Sequence, residues 1–337
     1  MAHPDRSAAA GAFHAGERLL QTRAGVAARM EELAARLIRD HMPDQHRSLF
    51  AQLPFVVVGA DDGEGQPWAS VLAGPPGFMS SPDARTLRID AQAARHDPLA
   101  GAIRPGARVG LLGLEQATRR RNRANGIVTA VDEDGFSVRV QESFGNCPRF
   151  IQARSVAFVP DGAPHGPTEA TAAGGTTTTG ASLDAAARRL IAAADTLFIA
   201  TAHPEASTNP TLTHGADVSH RGGRPGFVRV DEVEDDGATT LHLPDFSGNN
   251  YFNTLGNIAL NPRLGLLFID YERGAVLQVA GRGEIIDDGS AASVFEGALR
   301  LLRISVTAFR WQPEPLPLRW GPTVEPSPFL DGTGSWS

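Results

Sequence analysis

The chain has 337 residues, of which 42% are hydrophobic and 20% charged, and this composition is typical of a globular protein of about two domains. The formal charge of −7 argues against a general nucleic-acid-binding protein, which usually carries a basic surface. A single cysteine, Cys147, excludes an intrachain disulfide, and no apolar stretch is long enough for a membrane span or a signal-peptide core. We therefore expect a cytoplasmic protein with neither a membrane nor a nucleic-acid partner.

Residues 1–46 are predicted to form an N-terminal arm, disordered over residues 1–12, followed by a helix over residues 25–40 that ends before Pro43. A β-rich unit follows over residues 47–160. The helix is predicted to place Met30, Leu33, Ala34, Leu37 and Ile38 on one apolar face. Strands are predicted over residues 55–58, 69–72, 86–89, 109–112, 126–131 and 136–140.

Residues 161–181 are rich in Gly, Thr, Pro and Ala without apolar periodicity, which indicates a linker. A second β-rich unit covers residues 182–312 and opens with a helix that Ser182 is predicted to cap. Residues 313–337 form a proline-rich tail. Within the second unit, strands are predicted over residues 196–201, 226–230, 239–243, 263–270, 275–286 and 304–309, with a short helix near 252–259. Because helices and strands do not alternate, small antiparallel barrels fit better than a doubly wound parallel sheet.

The two β-rich units share ordered sequence matches. Residues 68–78 (WASVLAGPPGF) match residues 217–227 (DVSHRGGRPGF), and the match aligns Ser70 with Ser219. Residues 108–112 (RVGLL) match residues 263–267 (RLGLL), and a glycine follows fourteen positions after the last leucine of each run. Matches in the same order at this distance predict a duplicated domain. A site between two such domains needs only one chain.

The first candidate site is the polar sequence 217–223 (DVSHRGG), which we place in a loop between strands. Arg221 offers paired donors, Ser219 and His220 add polar groups, and the glycines allow close backbone approach, a combination that suits a phosphate. The alternative is a solvated polar turn. The first repeat has Val71 and Leu72 where the second has His220 and Arg221. Only the second copy is therefore expected to bind phosphate.

Two further polar clusters accompany it. Asn249, Asn250, Asn253 and Thr254 precede or open a helix, whose N-terminus favours an anion, although ordinary helix capping would use the same residue types. Arg119, Arg121 and Arg123 would share one face of an extended strand, with Arg120 opposite. The matching residues 275–280 are mostly apolar. The arginines indicate either an anion-binding edge of one barrel or a solvated face.

Several chemistries have no signal in the sequence. No cysteine or histidine pair has zinc spacing, and neither a G-x-S-x-G elbow nor a Walker loop is present. The histidines are scattered along the chain, so no metal site is expected. Cys147 has no adjacent base and is more typical of an inert thiol than of a nucleophile.

Residues 247–285 resemble the pyridoxamine 5′-phosphate oxidase-like, FMN-binding split-barrel family, in which a polar run and a helix precede Asn-Pro and two apolar strands. Residues 13–17, 118–126 and 144–154 resemble its bacterial oxidase-related flavin-nucleotide-binding subgroup. The resemblance implies a mainly β fold, with two tandem split barrels forming an intrachain pseudo-dimer around FMN. The usual basic cluster before the helix is missing, since residues 247–262 contain no Lys or Arg. A cation from elsewhere must therefore hold the phosphate.

The resemblance implies an FMN-dependent oxidoreductase that transfers hydride or electrons at flavin N5 to or from a small molecule, with NAD(P)H or another donor. No catalytic side chain is assigned, and vitamin B6 as substrate is in doubt because the substrate-phosphate residues of the true oxidases are not recognisable. A homodimer stays open, and asymmetry of the repeats favours one flavin per chain. The expected FMN contacts are Ser219, His220, Arg221, Asn249, Asn250, Asn253, Thr254, Gln278, Arg119 and Arg121.

Three alternatives remain at this point. The protein could be a non-catalytic flavin-binding module, or a cofactor-free protein whose site has eroded. It could also be a haem-binding or haem-degrading split barrel, for which His203, His214 and His220 are the candidate axial ligands.

Overall fold

The computed structural model describes residues 11–160, 180–209, 214–232, 238–312 and 314–336. The predicted disorder of residues 1–12 and the predicted linker 161–181 therefore lie largely outside the described residues. The first half contains α1 (Ala15–Arg23), α2 (Ala27–Leu37), α3 (Asp44–Gln52), β1 (Phe55–Asp61), β2 (Pro67–Ala73), β3 (Met79–Asp83), β4 (Thr86–Ile89), β5 (Arg108–Glu115), β6 (Arg120–Val131), β7 (Phe136–Gly145) and β8 (Val156–Phe158).

The second half repeats this plan. It contains α4 (Ala185–Ala193), β9 (Thr196–Ala202), β10 (Ala216–Gly222), β11 (Arg229–Glu232), β12 (Thr239–Phe246), α5 (Asn253–Leu260), β13 (Arg263–Ile269), β14 (Val276–Ile286), α6 (Ala291–Val294), β15 (Ala298–Trp311) and β16 (Leu318–Trp320).

Each half forms an antiparallel sheet of seven strands, and the strand orders are the same. The first sheet runs β2-β1-β5-β6-β7-β4-β3, and the second runs β10-β9-β13-β14-β15-β12-β11. The protein is thus mainly β, with two tandem split-barrel domains that form a pseudo-dimer within one chain, as the repeats predicted. The sheets are curved but not closed.

The halves pack against each other through β1, β2 and β5 of the first and β9, β10 and β13 of the second. A shared apolar core lies between them and includes Val57, Leu112, Phe198, Val218 and Leu267. Each barrel also has its own core. The pseudo-dimer interface is therefore part of the folded interior and buries side chains as fully as the barrels do.

Two matched glycines allow this close packing. A Cβ on Gly110 would lie 2.9 Å from the Cα of Asp217, and a Cβ on Gly265 would lie 2.4 Å from the carbonyl oxygen of Pro67. Gly110 and Gly265 occupy the same position in RVGLL and RLGLL. The repeat glycines are therefore required where β5 meets β10 and where the equivalent β13 meets β2.

Several predicted elements need correction. Residues 217–222 form the buried strand β10 and not a loop, because their polar groups bond to other side chains inside the interface. Asp184, and not Ser182, caps α4, since its side chain accepts from the backbone N–H of Ala187. Helix α2 is shorter than predicted, and Leu37 on its predicted apolar face is exposed.

The C-terminal residues are more ordered than a proline-rich tail suggests. Strand β16 pairs with β8 of the first half, a 3₁₀ helix follows at Pro328–Gly332, and Trp336 packs edge-on against Phe295. The strand expected at residues 226–230 begins only at Arg229. Strand β15 extends well beyond the predicted residues 304–309.

Candidate functional site

A polar cavity of about 100 Å³ lies between the two barrels. Strand β6 of the first barrel supplies Arg121 and Arg123, which alternate along the strand and so project from the same face. Strand β10 and the N-terminal end of α5 form the other walls. The cavity is therefore built from both halves of one chain.

Arg123 connects the first barrel to β10 and α5. Its Nη1 lies 2.5 Å from Asp217 Oδ1 and 3.0 Å from Asn253 Oδ1, and its Nη2 donates to Ser219 Oγ. The Ser219 hydroxyl is also 2.7 Å from the Thr254 hydroxyl. This network fixes the start of α5 against β10, and the carboxylate of Asp217 compensates the charge of Arg123.

Arg121 is different, because its guanidinium contacts an imidazole. Its Nη1 lies 3.2 Å from His220 Nδ1. Burial and the neighbouring cations Arg123 and Arg221 lower the pKa of Arg121 to about 9, so Arg121 is still protonated at neutral pH. Among the described residues, no carboxylate lies within 4 Å of its guanidinium. Arg121 is thus a cation with an unmet preference for an anion.

His220 is neutral at physiological pH. Burial, followed by the charges of Arg121 and Arg221, holds its pKa well below the usual value. Because Nδ1 accepts a hydrogen bond from Arg121, the proton of the neutral ring is assigned to Nε2. Within the described structure this buried Nε2 has no hydrogen-bond partner. His220 therefore brings an unused N–H donor to the cavity.

Asp245 joins two more arginines at the cavity wall. Arg221 Nη1 is 2.6 Å from one oxygen of Asp245, and Arg300 Nη1 is 2.9 Å from the other. Arg300 also lies 3.6 Å from Asp287. These pairs largely balance their own charges, so the excess positive charge of the cavity comes mainly from Arg121.

Five cavity-lining residues carry a buried nitrogen without a hydrogen-bond partner in the described part of the chain. These atoms are Arg121 Nε, Arg123 Nε, Asn146 Nδ2, His220 Nε2 and Arg300 Nε, and of these Arg300 Nε lies 3.6 Å from Asp287 Oδ2 in an ion pair. Buried donors are normally satisfied, and a group of unsatisfied donors around one cavity indicates a missing acceptor. A phosphate has several acceptor oxygens and negative charge, so the donor set fits such a group.

The start of α5 adds backbone donors. Its N-cap residue, Phe252, has φ +62°, and no described side chain caps the helix. Asn250 also has positive φ at 61°. The amide of Asn249 bonds instead to Asn146, and its oxygen accepts from the N–H of Tyr251. The asparagines therefore do not serve as ordinary helix caps, and the helix N-terminus is available to an anion.

Eight of the ten predicted FMN contacts line this cavity, although their role in binding stays a prediction. Arg119 does not, because it leaves the strand with φ +57°, donates to the carbonyl of Ile151 and pairs with Glu325. The expected shared face of Arg119 with Arg121 and Arg123 was therefore wrong. The eight that line it are Ser219, His220, Arg221, Asn249, Asn250, Asn253, Thr254 and Arg121.

Gln278 lies on the opposite side of the pseudo-dimer, at the position that corresponds to Arg123. Arg123 pairs with Leu112 on β5, and Gln278 pairs with Leu267 on β13, the matched leucine of the repeat. Its amide donates to the hydroxyl of Ser70, the counterpart of Ser219, and to Asp97. The second crevice thus keeps the hydrogen-bonding pattern but loses the arginine.

This second crevice is filled by the protein. Val276 stands in the place of Arg121, and Leu72 in the place of Arg221. The buried carboxyl of Asp97 accepts from Ser70, Gln278 and Gln312, and burial raises its pKa. Among the described residues, no helix between β4 and β5 corresponds to α5. Only one of the two equivalent crevices has an anion-binding character.

Four polar residues that line the cavity are not among the predicted FMN contacts. Arg123 was on the predicted arginine face, and its alternation with Arg121 could have identified it. Asn146, Asp245 and Arg300 had no such signal, because they reach the cavity from separate parts of the chain, just after β7, on β12 and on β15. A cavity of about 60 Å³ shares Arg121 and His220 with the first and has Cys147 in its wall.

Three histidines that are distant in sequence lie close together elsewhere. The rings of His203 and His214 are stacked with centroids 3.7 Å apart, and His14 meets His203 edge-on at 5.1 Å. Glu205 completes a group whose potential ligand atoms lie within 4.8 Å of one another. The sequence inference took the histidines to be scattered, whereas the fold brings His203 and His214 together at the two ends of the β9–β10 connection.

No helix in the described ranges combines the length and apolar character needed to cross a lipid bilayer.

Comparison with known proteins supports the fold. Residues 42–167, which include the complete first sheet, match the family model described as Pyridoxamine 5′-phosphate oxidase. Residues 42–167 therefore belong to the pyridoxamine 5′-phosphate oxidase-like family. No curated protein is similar enough to this sequence to be matched.

Solved structures overlap the chain weakly. HupZ from group A Streptococcus is 14% identical, with 38% of this chain and 93% of HupZ covered at a TM-score of 0.27. A pyridoxinephosphate oxidase-family protein from Clostridium acetobutylicum, related to general stress protein 26, is 14% identical, with 36% and 82% covered at a TM-score of 0.24. At these scores the overlaps carry no functional argument.

Proposed function

We propose that the cavity between the barrels binds the phosphate end of FMN and that the protein is an FMN-dependent oxidoreductase acting on a small molecule. The observation that carries the proposal is the group of buried nitrogens that lack a hydrogen-bond partner among the described residues, around a cavity that also holds the cation Arg121. The family match of residues 42–167 adds support, because FMN is a common ligand of this family.

The phosphate would be held by Arg121, the Nε2–H of His220 and the backbone N–H groups at the start of α5. A cavity of about 100 Å³ is smaller than a typical small-molecule pocket of roughly 300–1,000 Å³, so it accounts for the phosphate end only. Arg123 has a different task, since its bonds to Asp217, Ser219 and Asn253 keep β10 and α5 in register.

Bound FMN would supply hydride and electron transfer, for which the protein need provide no nucleophile. The chain's own residues bind the phosphate, hold the two barrels together around the groove and exclude water from the buried arginines. His220 acts here as a neutral donor, because its depressed pKa disfavours a proton-accepting role near neutral pH. We therefore propose no acid or base from this chain.

One flavin per chain is proposed because the equivalent second crevice lacks the required groups. Gln278, Val276 and Leu72 replace cationic positions there, and Asp97 adds a carboxyl group that would repel phosphate when ionised.

The test begins with the purified full-length protein. Cofactor released by heat should be identified by mass as FMN, at one equivalent per chain, and flavin absorption should be bleached by NAD(P)H or another donor and restored by oxygen. A yellow protein inert to every donor would support the flavin-binding module instead. A Soret band would support a haem protein. If the protein shows no Soret band, and no bound flavin absorption even after excess FMN is added, the cofactor assignment is rejected.

Arg121→Ala provides the residue-level test. Loss of a charge-assisted contact should weaken FMN binding by about 1.5–3 kcal/mol, or roughly 10- to 150-fold in Kd, measured by fluorescence titration of the apoprotein. Arg120→Ala is the matched control, because Arg120 is the exposed neighbour on the opposite face of β6. Equal affinities of the two variants would contradict the assignment of Arg121.

A further inference from the structure

We propose that His203, Glu205 and His214 bind a divalent transition-metal ion of the Zn²⁺ type. None of these residues lines the polar cavity between the barrels, so the site is separate from the proposed flavin site. The three ligands come from the two ends of the β9–β10 connection.

The geometry brings the ligand atoms together without help from a bound ion. His214 Nδ1 lies 3.4 Å from Glu205 Oε2, and one ligand atom from each of the three residues falls within 4.8 Å of the others. Ligand atoms of a tetrahedral Zn²⁺ site lie about 2.0–2.2 Å from the metal. Because the rings of His203 and His214 are stacked in parallel, one imidazole must also turn about its side-chain torsions to direct its in-plane lone pair at the shared ion. Two imidazoles and one carboxylate form a common three-ligand zinc set, with a fourth position left for water.

The hydrogen bonding of the group bears on which ring nitrogens a metal could use. The backbone N–H of Glu205 donates to His203 Nδ1 at 3.1 Å, which places the lone pair of that nitrogen toward Glu205. The buried Nδ1 of His214 has no hydrogen-bond partner within the described residues. A metal ion would use the free lone pair of His214, and at His203 Nδ1 it would replace the hydrogen bond from the Glu205 N–H.

The surroundings limit the group to one small ion. The imidazoles of His203 and His214 are parallel within 4°, with 3.7 Å between their centroids. A planar macrocycle has no room between rings at van der Waals contact, which argues against these two histidines as opposite axial ligands of a haem. His14, at the N-terminal end of α1, packs edge-on against His203 and narrows the site from another side.

The experiment is a Zn²⁺ titration of chelator-treated, full-length protein in competition with a chromophoric chelator. One tight site per chain is expected, and His203→Ala and His214→Ala should each lower the affinity at least tenfold. His96→Ala is the control, because His96 is exposed and distant from the group in sequence. Absence of binding by the unaltered protein at micromolar Zn²⁺, or unchanged affinity in both histidine variants, would overturn the proposal.

Glu205→Gln tests the metal site independently, in case the histidine variants misfold. The Glu205 side chain is 54% exposed, so its replacement should leave the circular dichroism spectrum and unfolding midpoint of the metal-free protein unchanged. The variant should nevertheless lose at least tenfold in Zn²⁺ affinity. Co²⁺ added to the unaltered protein should give the visible absorption of low-coordinate cobalt. If Glu205→Gln keeps both this absorption and the Zn²⁺ affinity of the unaltered protein, the proposed site is contradicted. No flavin is needed for either readout.

Discussion

Arg121 and Arg123 are two positions apart on one strand face, yet their surroundings give them different tasks. Arg123 has the carboxylate of Asp217 and the hydroxyl of Ser219, so its charge and donors are largely used within the protein. Among the described residues, Arg121 bonds to the imidazole and the carbonyl oxygen of His220, and no carboxylate pairs with it. Burying a cation costs free energy unless an anion accompanies it. Binding of a phosphate to Arg121 would remove that cost, which is why we assign it the ligand.

His220 gives a pH-dependent prediction at the residue scale. Its pKa in the folded protein lies well below the unfolded value of about 6.5, so the unfolded chain binds a proton first as pH falls. Its contribution to stability is complete above pH 6.5 and is lost below it, by up to about 1.4 kcal/mol per pH unit. His220→Asn keeps an acceptor for Arg121 without this titration. The stability advantage of the unaltered apoprotein over the variant should therefore shrink between pH 7 and pH 5 in urea denaturation.

A constant difference across that range would contradict the neutral, buried state assigned to His220. His46→Asn serves for comparison, since burial also lowers the pKa of His46, which bonds to Ser143 away from the cavity. It should show a pH trend of the same sign without altering FMN affinity.

The sequence identified individual cavity residues where their type was unusual for their place. His220 and Arg221 stood out because the first repeat has Val71 and Leu72 there. Gln278 was misplaced because the pattern of the repeat does not say which of two equivalent crevices a strand residue faces. Its register against Leu267 places it in the filled crevice. Asn146 and Arg300 required the fold itself, since nothing local distinguishes them from surface polar residues.

At the scale of elements, short apolar runs predicted most of the strands. Strand β10 failed this test because Asp217, Ser219 and Arg221 make it polar, although its residues are almost all buried. Polar residues were interpreted as a loop, whereas interior partners satisfy them. The β4 strand matched its prediction at Thr86–Ile89, where Leu87 and Ile89 are buried in alternation. A strand whose polar side chains find partners in the interior thus lacks the apolar pattern that identifies the other strands.

Helix α1 was not predicted, and its contacts give a prediction at this scale. Leu20 is 1% exposed and packs in the core of the second barrel, whereas Leu19 is 44% exposed. Leu20→Ala should destabilise the protein by about 2–5 kcal/mol, because it leaves a cavity in that core. Leu19→Ala should change stability by no more than about 0.5 kcal/mol. Urea denaturation measures both, and equal effects would show that α1 is not docked as described.

The N-terminal arm also brings a buried carboxyl close to the polar cavity between the barrels. Glu17 accepts from the amide of Asn253, and burial raises its pKa. The short polar segment before residue 25 gave no helical signal in the sequence beyond its family resemblance. Its helix is stabilised by a capping box between His14 and Glu17 and by docking on α5.

At the scale of the whole molecule, the pairing of the barrels depends on the repeat glycines. Gly265→Ala would place a Cβ about 2.4 Å from the carbonyl oxygen of Pro67, so β13 and β2 would have to separate. We expect a loss of about 1–3 kcal/mol in the free energy of unfolding. Gly101→Ala is the control, because a Cβ there meets no atom within 4 Å. Comparable stability of the two variants in urea would contradict the close approach.

The duplication itself was predictable because its signal is the ordered recurrence of RxGLL and Pro-Gly-Phe. The matching strand orders confirm it. The sequence did not predict how the C-terminal residues close the molecule, since β16 pairs with β8 across a long chain separation. Contacts of that kind follow from tertiary packing and leave no local periodicity.

The second half of the chain has Gln278 at the position that corresponds to Arg123 of the first half, and this difference has a consequence for how such a protein can evolve. In an assembly of two identical subunits, every substitution is made twice, so one cleft cannot be altered while its twin is spared. Joining both copies in a single polypeptide removes that restriction. Here one copy of the cleft has become interior packing, and the surface above it is free to acquire a separate role.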